Sequence, residues 1–137
     1  MTVTLTLDIG AIFLSAFICF SLAAFWFSPA LFGTFWRKAI ETEQSTPYRP
    51  ASLRSFALAF VMLLLFSAVV NIVVDLTGVV GMMQGVMAGI VIWLAITFSH
   101  AAVHIAFDRR SFMLFALYAG YYLVASVISS TLFALWK

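Results

Sequence analysis

The sequence predicts an all-α polytopic membrane protein with four transmembrane helices in two antiparallel hairpins and a short interfacial helix. Of its 137 residues, 65% are hydrophobic and 9% are charged, whereas soluble domains are about 45–50% apolar and about 25% charged. The apolar residues form four stretches that approach or reach the roughly 20 residues needed to cross a bilayer. Nearly all basic residues lie in two of the gaps between those stretches. These three observations define a membrane protein.

The helix boundaries follow from local signals within a single domain, residues 1–137. Asp8 is a suitable N-cap for helix one, and Pro29 should end that helix. The first eight residues contain no Lys or Arg, so we expect helix one to be retained and not removed as a signal peptide. We place the transmembrane helices at about 8–28, 53–75, 79–107 and 111–136, and the interfacial helix at about 32–41.

The basic residues predict the orientation. Four of them lie between the first and second stretches and two between the third and fourth: Arg37, Lys38, Arg49, Arg54, Arg109 and Arg110. Cytoplasmic loops are enriched in Lys and Arg, so both basic loops are predicted to be cytoplasmic and both termini outside. Tryptophans collect at membrane interfaces, and three lie near the predicted boundaries: Trp26, Trp36 and Trp136.

Helix three carries a glycine groove, also called a glycine zipper, formed by Gly81, Gly85 and Gly89. Apolar side chains gain little from meeting one another in lipid, so close backbone approach along glycines favours helix association. The groove could receive helix four, helix one or another subunit, and packing within the chain is the preferred interpretation. Small residues that could fill it recur on helices one and four: Ala11, Ser15, Cys19, Ala23, Ser126, Ser129 and Ser130.

Two short motifs stand out. The first is Trp26-Phe27-Ser28-Pro29-Ala30-Leu31-Phe32-Gly33, followed by Trp36, and the second is Asp108-Arg109-Arg110, followed by Leu114-Phe115 and Gly120-Tyr121-Tyr122-Leu123. Together they resemble the bacterial family called domain of unknown function 1761, over nearly the whole chain. The resemblance implies four helices in a bacterial inner membrane and brings no established substrate, cofactor or activity. The chain departs from the family at Ala119, where we expect Asn, and at His100 and His104, which we do not associate with the family pattern.

His100 and His104 lie four residues apart on helix three, with Asp108 one turn further along. This spacing can present two imidazoles to a metal ion, or one to a haem or chlorophyll, with the carboxylate orienting a ring. Both histidines also fall near the predicted membrane boundary, where they need no ligand, and Tyr118 could share a hydrogen bond with His100. We therefore expect no cofactor, with haem or pigment binding as the alternative.

A second polar group lies at the other end of the predicted bundle. Asn71 and Asp75 are four residues apart near the end of helix two, Gln84 lies in helix three, and Asp8 precedes helix one. An intramembrane carboxylate with amide neighbours is typical of a proton or cation site. Both aspartates fall at predicted helix ends, however, so solvation by water is the favoured interpretation. Asn71 and Gln84 are expected to bond across the hairpin.

The sequence contains no Ser-His-Asp order, glycine-rich phosphate loop, Cys pair or paired intramembrane carboxylate. We therefore expect a non-catalytic protein of the lipid bilayer that acts through helix contacts, as an accessory subunit of a membrane complex or as a small homo-oligomer. Nucleic acid is not an expected partner. The alternatives are a small oligomeric transporter or channel, and a haem or pigment carrier. Tyr118, Tyr121 and Tyr122 could line a hydrophobic ligand slot, although such rings more often pack or face lipid.

Overall fold

The computed structural model describes residues 5–45, 47, 49–108 and 112–136, and these residues form helices without any strand. Within this described part of the chain, four helices are long and apolar enough to cross a membrane, so the predicted all-α membrane fold is confirmed. The helices are α1 (Ile9–Trp26), α2 (Gly33–Gln44), α3 (Leu53–Thr77), α4 (Met82–Ile92), α5 (Ser99–Asp108) and α6 (Phe112–Trp136). A π-helical segment, Trp93–Phe98, joins α4 to α5, and we call the three pieces together the third membrane helix.

The helix ends follow local chemistry. Asp8 caps α1, since its Oδ1 accepts a hydrogen bond of 3.1 Å from the Ala11 amide. Ser52 caps α3, and its Oγ lies 3.4 Å from the amide nitrogen of Ser55. The interfacial helix α2 ends at Gln44, three residues later than predicted. Residue 111, the predicted start of the last helix, lies outside the described residues.

The third membrane helix differs from the continuous helix expected at 79–107. It begins only at Met82, because Gly81 has a φ of 86°, in the left-handed region that favours glycine. In the π-helical segment, each turn holds an extra residue, which changes the direction of the side chains beyond it. The Ser99 hydroxyl donates to the Leu94 carbonyl, five residues earlier, at 2.9 Å.

Helix α6 lies at the centre of the packing and contacts α1, α3 and α4, while α1 also packs on α3. Although α3 and α4 are consecutive, they do not pack along their lengths. The predicted arrangement in two hairpins is therefore not confirmed. The gap between α3 and the third membrane helix becomes a cavity, described below.

The core contains a cluster of small polar side chains where α1, α3 and α6 meet. Ser15 Oγ lies 3.0 Å from Ser67 Oγ and donates to Ser129 Oγ at 2.9 Å. Cys19 Sγ lies 3.3 Å from the same Ser129 hydroxyl. All four side chains are fully buried. Hydrogen bonds between membrane helices contribute about 0.6 kcal/mol each on average. The cluster therefore adds little to the free energy of folding, and its main effect is to fix how the three helices align.

Candidate functional site

Helix α6 fills the glycine groove. A Cβ atom on Gly85 would lie 2.7 Å from Thr131 Cα, and one on Gly89 would lie 2.5 Å from Val127 Cα. Both contacts are with backbone, so a larger residue at either position would push the helices apart. The Ser130 hydroxyl donates to the Gly85 carbonyl at 2.7 Å, which adds a bond across this interface.

The other residues proposed for helix packing take different positions. Gly81 lies outside the groove, since a Cβ there would meet nothing within 4 Å, but its amide donates to the Ala134 carbonyl at 3.2 Å. Ser126 is fully buried beside Gly89. On α1, the small-residue stripe faces α3 and α6 and not the glycines: Ala11, Ser15 and Cys19 are fully buried, and Ala23 is half-buried.

The turn between α1 and α2 packs on α6 through six rings that we call the aromatic junction: Trp26, Phe27, Phe32, Trp36, Tyr118 and Tyr121. The Trp26 indole donates to the Leu117 carbonyl at 3.2 Å, and the Trp36 indole donates to the Tyr118 hydroxyl at 3.0 Å. The ring of Phe27 contacts both Trp36 and Tyr118, with ring centroids 5.1 Å and 5.5 Å away, respectively. The junction joins both motifs noted in the sequence.

The remaining motif residues make this packing sterically feasible. A Cβ on Gly33 would overlap the backbone of Ser28, and a Cβ on Gly120 would lie 3.1 Å from the Trp26 ring. Ser28 Oγ donates to the Phe25 carbonyl at 2.6 Å, and Pro29 lies exposed in the turn. Tyr121 is buried and donates to the carbonyl of Cys19 at 2.8 Å. The motifs therefore build a junction between helices.

Beside the aromatic junction lies a cavity of about 560 Å³, which we call the lateral groove. Its walls are α3 and the third membrane helix, and its floor is α6. One of its ends, near α5, carries His100, His104 and Tyr118. The lining residues are Met62, Leu65, Phe66, Val69, Val70, Ile92, Ile96, Thr97, His100, Ala101, His104, Ile105, Leu114, Phe115, Tyr118, Ala119 and Tyr122.

The two histidines contact each other at this α5 end. Their Nε2 atoms are 3.0 Å apart, so one imidazole donates a hydrogen bond to the other. Tyr118, which the sequence offered as a partner for His100, accepts a hydrogen bond from Trp36. The side chain of Asp108 lies outside the described residues, and among those described no group of three metal-ligating side chains forms. The pair can thus orient a polar group at the mouth of the groove.

At the opposite end of the bundle, a second cavity of about 690 Å³ opens to the surface, and we call it the polar chamber. Asp8, Asn71 and Asp75 all line it. Thr6, which the sequence gave no reason to select, donates to Asp75 Oδ2 from its amide at 3.0 Å and from its hydroxyl at 3.2 Å. Gln84 lies outside the chamber, and its Oε1 accepts a hydrogen bond from the Val80 amide at 3.1 Å.

Two features define the chemistry of the polar chamber. The Asp8 carboxylate accepts hydrogen bonds from the Ala11 amide and from the Trp136 indole, and these lower its pKa below the usual value, the Ala11 bond most. Asn71 is 4% exposed, and its Oδ1 accepts no hydrogen bond from the described residues. The chamber is therefore lined by an ionised carboxylate and by an amide whose oxygen has no donor among the described residues.

The four apolar helices found in the described residues define an integral membrane protein. Residues 10–134 match the family described as Protein of unknown function (DUF1761), and the chain belongs to this family. The two motifs predicted this membership. No curated protein matches the chain, and no solved structure does.

Proposed function

We propose that this protein is a non-catalytic membrane protein that binds a single-chain amphiphile in its lateral groove. The observation that carries the proposal is the groove of about 560 Å³. Ligand sites are clefts of roughly 300–1,000 Å³, lined mainly by apolar and aromatic side chains, with a few polar groups that fix orientation. The lateral groove has this size and this composition.

The distribution of polar groups along the groove favours an amphiphile. His100, His104 and Tyr118 lie at the α5 end, whereas Val69, Val70 and Ile92 line the groove further along. A ligand that enters from lipid gains little from burial of its chain, because lipid is already apolar. Its affinity must come from fit and from the polar head. While the histidines stay bonded through their Nε2 atoms, the accepting imidazole keeps an N–H at Nδ1 that can donate to a carboxylate or phosphate oxygen at the groove mouth.

The same lining disfavours a partner helix as occupant. Helices associate in lipid through small residues that allow close backbone approach. The lining includes no Gly or Ser among the described residues, and its smallest members are Ala101 and Ala119. Bulky rings such as those of Phe115 and Tyr122 keep a helix backbone away, whereas a flexible hydrocarbon chain can follow the surface between them. The glycine face that would suit a helix is already covered by α6.

A groove-filling variant tests the proposal. In Ala101→Phe, a ring projects from the groove wall. We expect the affinity for a spin-labelled fatty acid, with a chain as long as those of membrane lipids, to fall at least tenfold. Ala106→Phe adds the same ring to α5 at an exposed position outside the lining, so binding should stay as in the wild type. Native mass spectrometry of the purified protein should show one retained amphiphile. Equal affinity in wild type and Ala101→Phe refutes the proposal.

A second candidate function is an accessory subunit or a small homo-oligomer. The observation in its favour is the exposure of the third membrane helix. This helix contacts α6 on one side, and only 6% of the residues in its most apolar 18-residue stretch are buried. Exposed Met83, Met87 and Val91 could meet a second copy of the chain. Mass measurement in lipid nanodiscs tests the homo-oligomer, since a second copy predicts a dimer, and the homo-oligomer is excluded if only monomers are found.

We further infer that the protein lies in a bacterial cytoplasmic membrane with both termini outside. The support is the confinement of six of the seven basic residues to two loops, because such loops remain cytoplasmic. This orientation assigns the aromatic junction and the histidine pair to the cytoplasmic side and the polar chamber to the outer side. Reporter fusions after Trp136 and within the loop around Arg49 should give opposite signals, and the same signal from both would exclude this topology.

A further inference from the structure

We propose that the polar chamber binds a hydrated divalent cation. This site is separate from the lateral groove and does not depend on its ligand. Its elements are the carboxylates of Asp8 and Asp75 and the amide oxygen of Asn71, which all line one cavity. Residues from α3 and from the start of α1 thus meet at one point.

The buried amide of Asn71 is the observation that points to a ligand. Its side chain is 4% exposed, and its Oδ1 accepts no hydrogen bond from the described residues. Buried polar atoms in native proteins almost always have a partner, in protein, water or an ion. Asn71 lines the same cavity as the two carboxylates, so a cation in the chamber, or a water molecule bound to one, can supply the missing partner.

The electrostatics of the chamber favour a doubly charged guest. Its described lining contains two carboxylates and no Lys, Arg or His. The Ala11 amide and the Trp136 indole each donate a hydrogen bond to the Asp8 carboxylate, and such bonds favour its charged form. A divalent cation compensates two negative charges, whereas a monovalent cation leaves one.

The donor atoms and the room in the chamber favour a cation that retains water. Carboxylate and amide oxygens are the ligands of hard cations such as Mg²⁺ and Ca²⁺. Asp8 and Asp75 already accept hydrogen bonds from Thr6, Ala11 and Trp136, so water molecules on the cation can bridge it to these carboxylates. A volume of about 690 Å³ leaves space for a hydration shell. Mg²⁺ suits this arrangement, since it keeps several waters and takes only one or two carboxylates.

Titration of the full-length protein with Mn²⁺, followed by electron paramagnetic resonance, tests the site directly. We expect one saturable Mn²⁺ per chain, displaced by Mg²⁺ and not by NaCl at equal ionic strength. Ca²⁺ in parallel distinguishes the two divalent cations, and stronger displacement by Ca²⁺ than by Mg²⁺ contradicts the hydrated Mg²⁺-type site. Absence of saturable Mn²⁺, or equal displacement by NaCl, means that the chamber holds only water and overturns the proposal.

Matched amide variants locate the site. Asn71→Leu removes the buried oxygen and keeps a side chain branched at Cγ, and it should weaken Mn²⁺ binding at least tenfold. Gln84→Leu makes the same exchange at an exposed position outside the chamber, and binding should be unchanged. If Asn71→Leu does not fold, Asp75→Asn provides the second variant and should also lose at least tenfold. Binding of wild-type strength in a folded variant overturns the assignment.

Discussion

The indole nitrogen of Trp36 donates a hydrogen bond of 3.0 Å to the hydroxyl oxygen of Tyr118. Trp36 lies in the interfacial helix α2, and Tyr118 lies in α6, where it also lines the lateral groove. One hydrogen bond therefore connects α2 to the mouth of the proposed ligand site.

The first prediction concerns this bond. Trp36→Phe keeps a ring against Phe27 but removes the donor, at a cost of about 1 kcal/mol. We expect amide hydrogen exchange in α2 to quicken by about fivefold, as that energy implies. Phe35→Leu, at an exposed position on the same helix, is the control and should leave exchange unchanged. Equal protection of α2 in wild type and Trp36→Phe would show that the bond does not hold the helix.

The second prediction concerns Gly33. A Cβ there would overlap the backbone of Ser28 and lie 2.5 Å from the Phe27 carbonyl oxygen. Gly33→Ala should therefore lower the free energy of unfolding by about 1–3 kcal/mol, as overpacking does. Thermal unfolding in detergent measures it. Gly10→Ala is the matched control, because its Cβ would meet one side-chain atom, Asp8 Oδ1, at 3.3 Å and no backbone, and a loss of equal size there would contradict the steric argument.

The third prediction concerns the interface between α4 and α6. In Gly89→Ala the new methyl group would lie 2.5 Å from Val127 Cα, so α6 must shift and the bond from Ser130 to the Gly85 carbonyl must lengthen. We expect a loss of about 1–3 kcal/mol in the free energy of unfolding. Met87→Ala on the exposed face should cost much less. If the two variants unfold at the same temperature, α6 does not occupy the glycine groove.

Much of this architecture is readable from the sequence, because hydropathy and caps are local signals. Runs of apolar residues identify the four membrane helices, and the Asp8 cap starts α1 as predicted. The two motifs also predicted the family, and the family match over residues 10–134 confirms it. The contacts that the motif residues make could not be predicted, because the hydrogen-bonded residues Trp26 and Leu117 are 91 positions apart in the chain.

The rest depends on tertiary geometry. An apolar residue on a membrane helix can face lipid, a neighbouring helix or a cavity, so Phe66 and Val69 gave no sign that they line a groove. The π-helical segment Trp93–Phe98 has no distinguishing composition. Thr6 and Asp75 are 69 positions apart, and only the folded chain brings them together. The sequence shows at which end of the membrane a polar residue lies, but not which neighbours it contacts. For this reason Gln84 was grouped with Asn71 and Asp75, although it does not line the polar chamber.

The fourth prediction separates head-group recognition from chain fit in the lateral groove. His100→Leu removes an imidazole from the α5 end while it keeps a side chain of moderate size. Affinity for a fatty acid should fall by about tenfold, which corresponds to the roughly 1.4 kcal/mol of a charge-assisted hydrogen bond. Affinity for the methyl ester of the same chain should change little. Competition against a spin-labelled fatty acid measures both, and equal losses for acid and ester would mean that the imidazole only fills space.

The fifth prediction concerns acid stability. Asp8 has a lowered pKa in the folded protein because the Ala11 amide and then the Trp136 indole donate to it. Its ionised form is thus favoured in the folded state, so the stabilisation is present above the unfolded pKa of about 3.9 and disappears as pH falls through the lower, folded value. Asp8→Asn should unfold more easily at neutral pH, and its difference from wild type should shrink below about pH 4. Asp8→Ser keeps a capping oxygen but cannot titrate. If its unfolding temperature falls as steeply in acid as that of the wild type, another group is responsible.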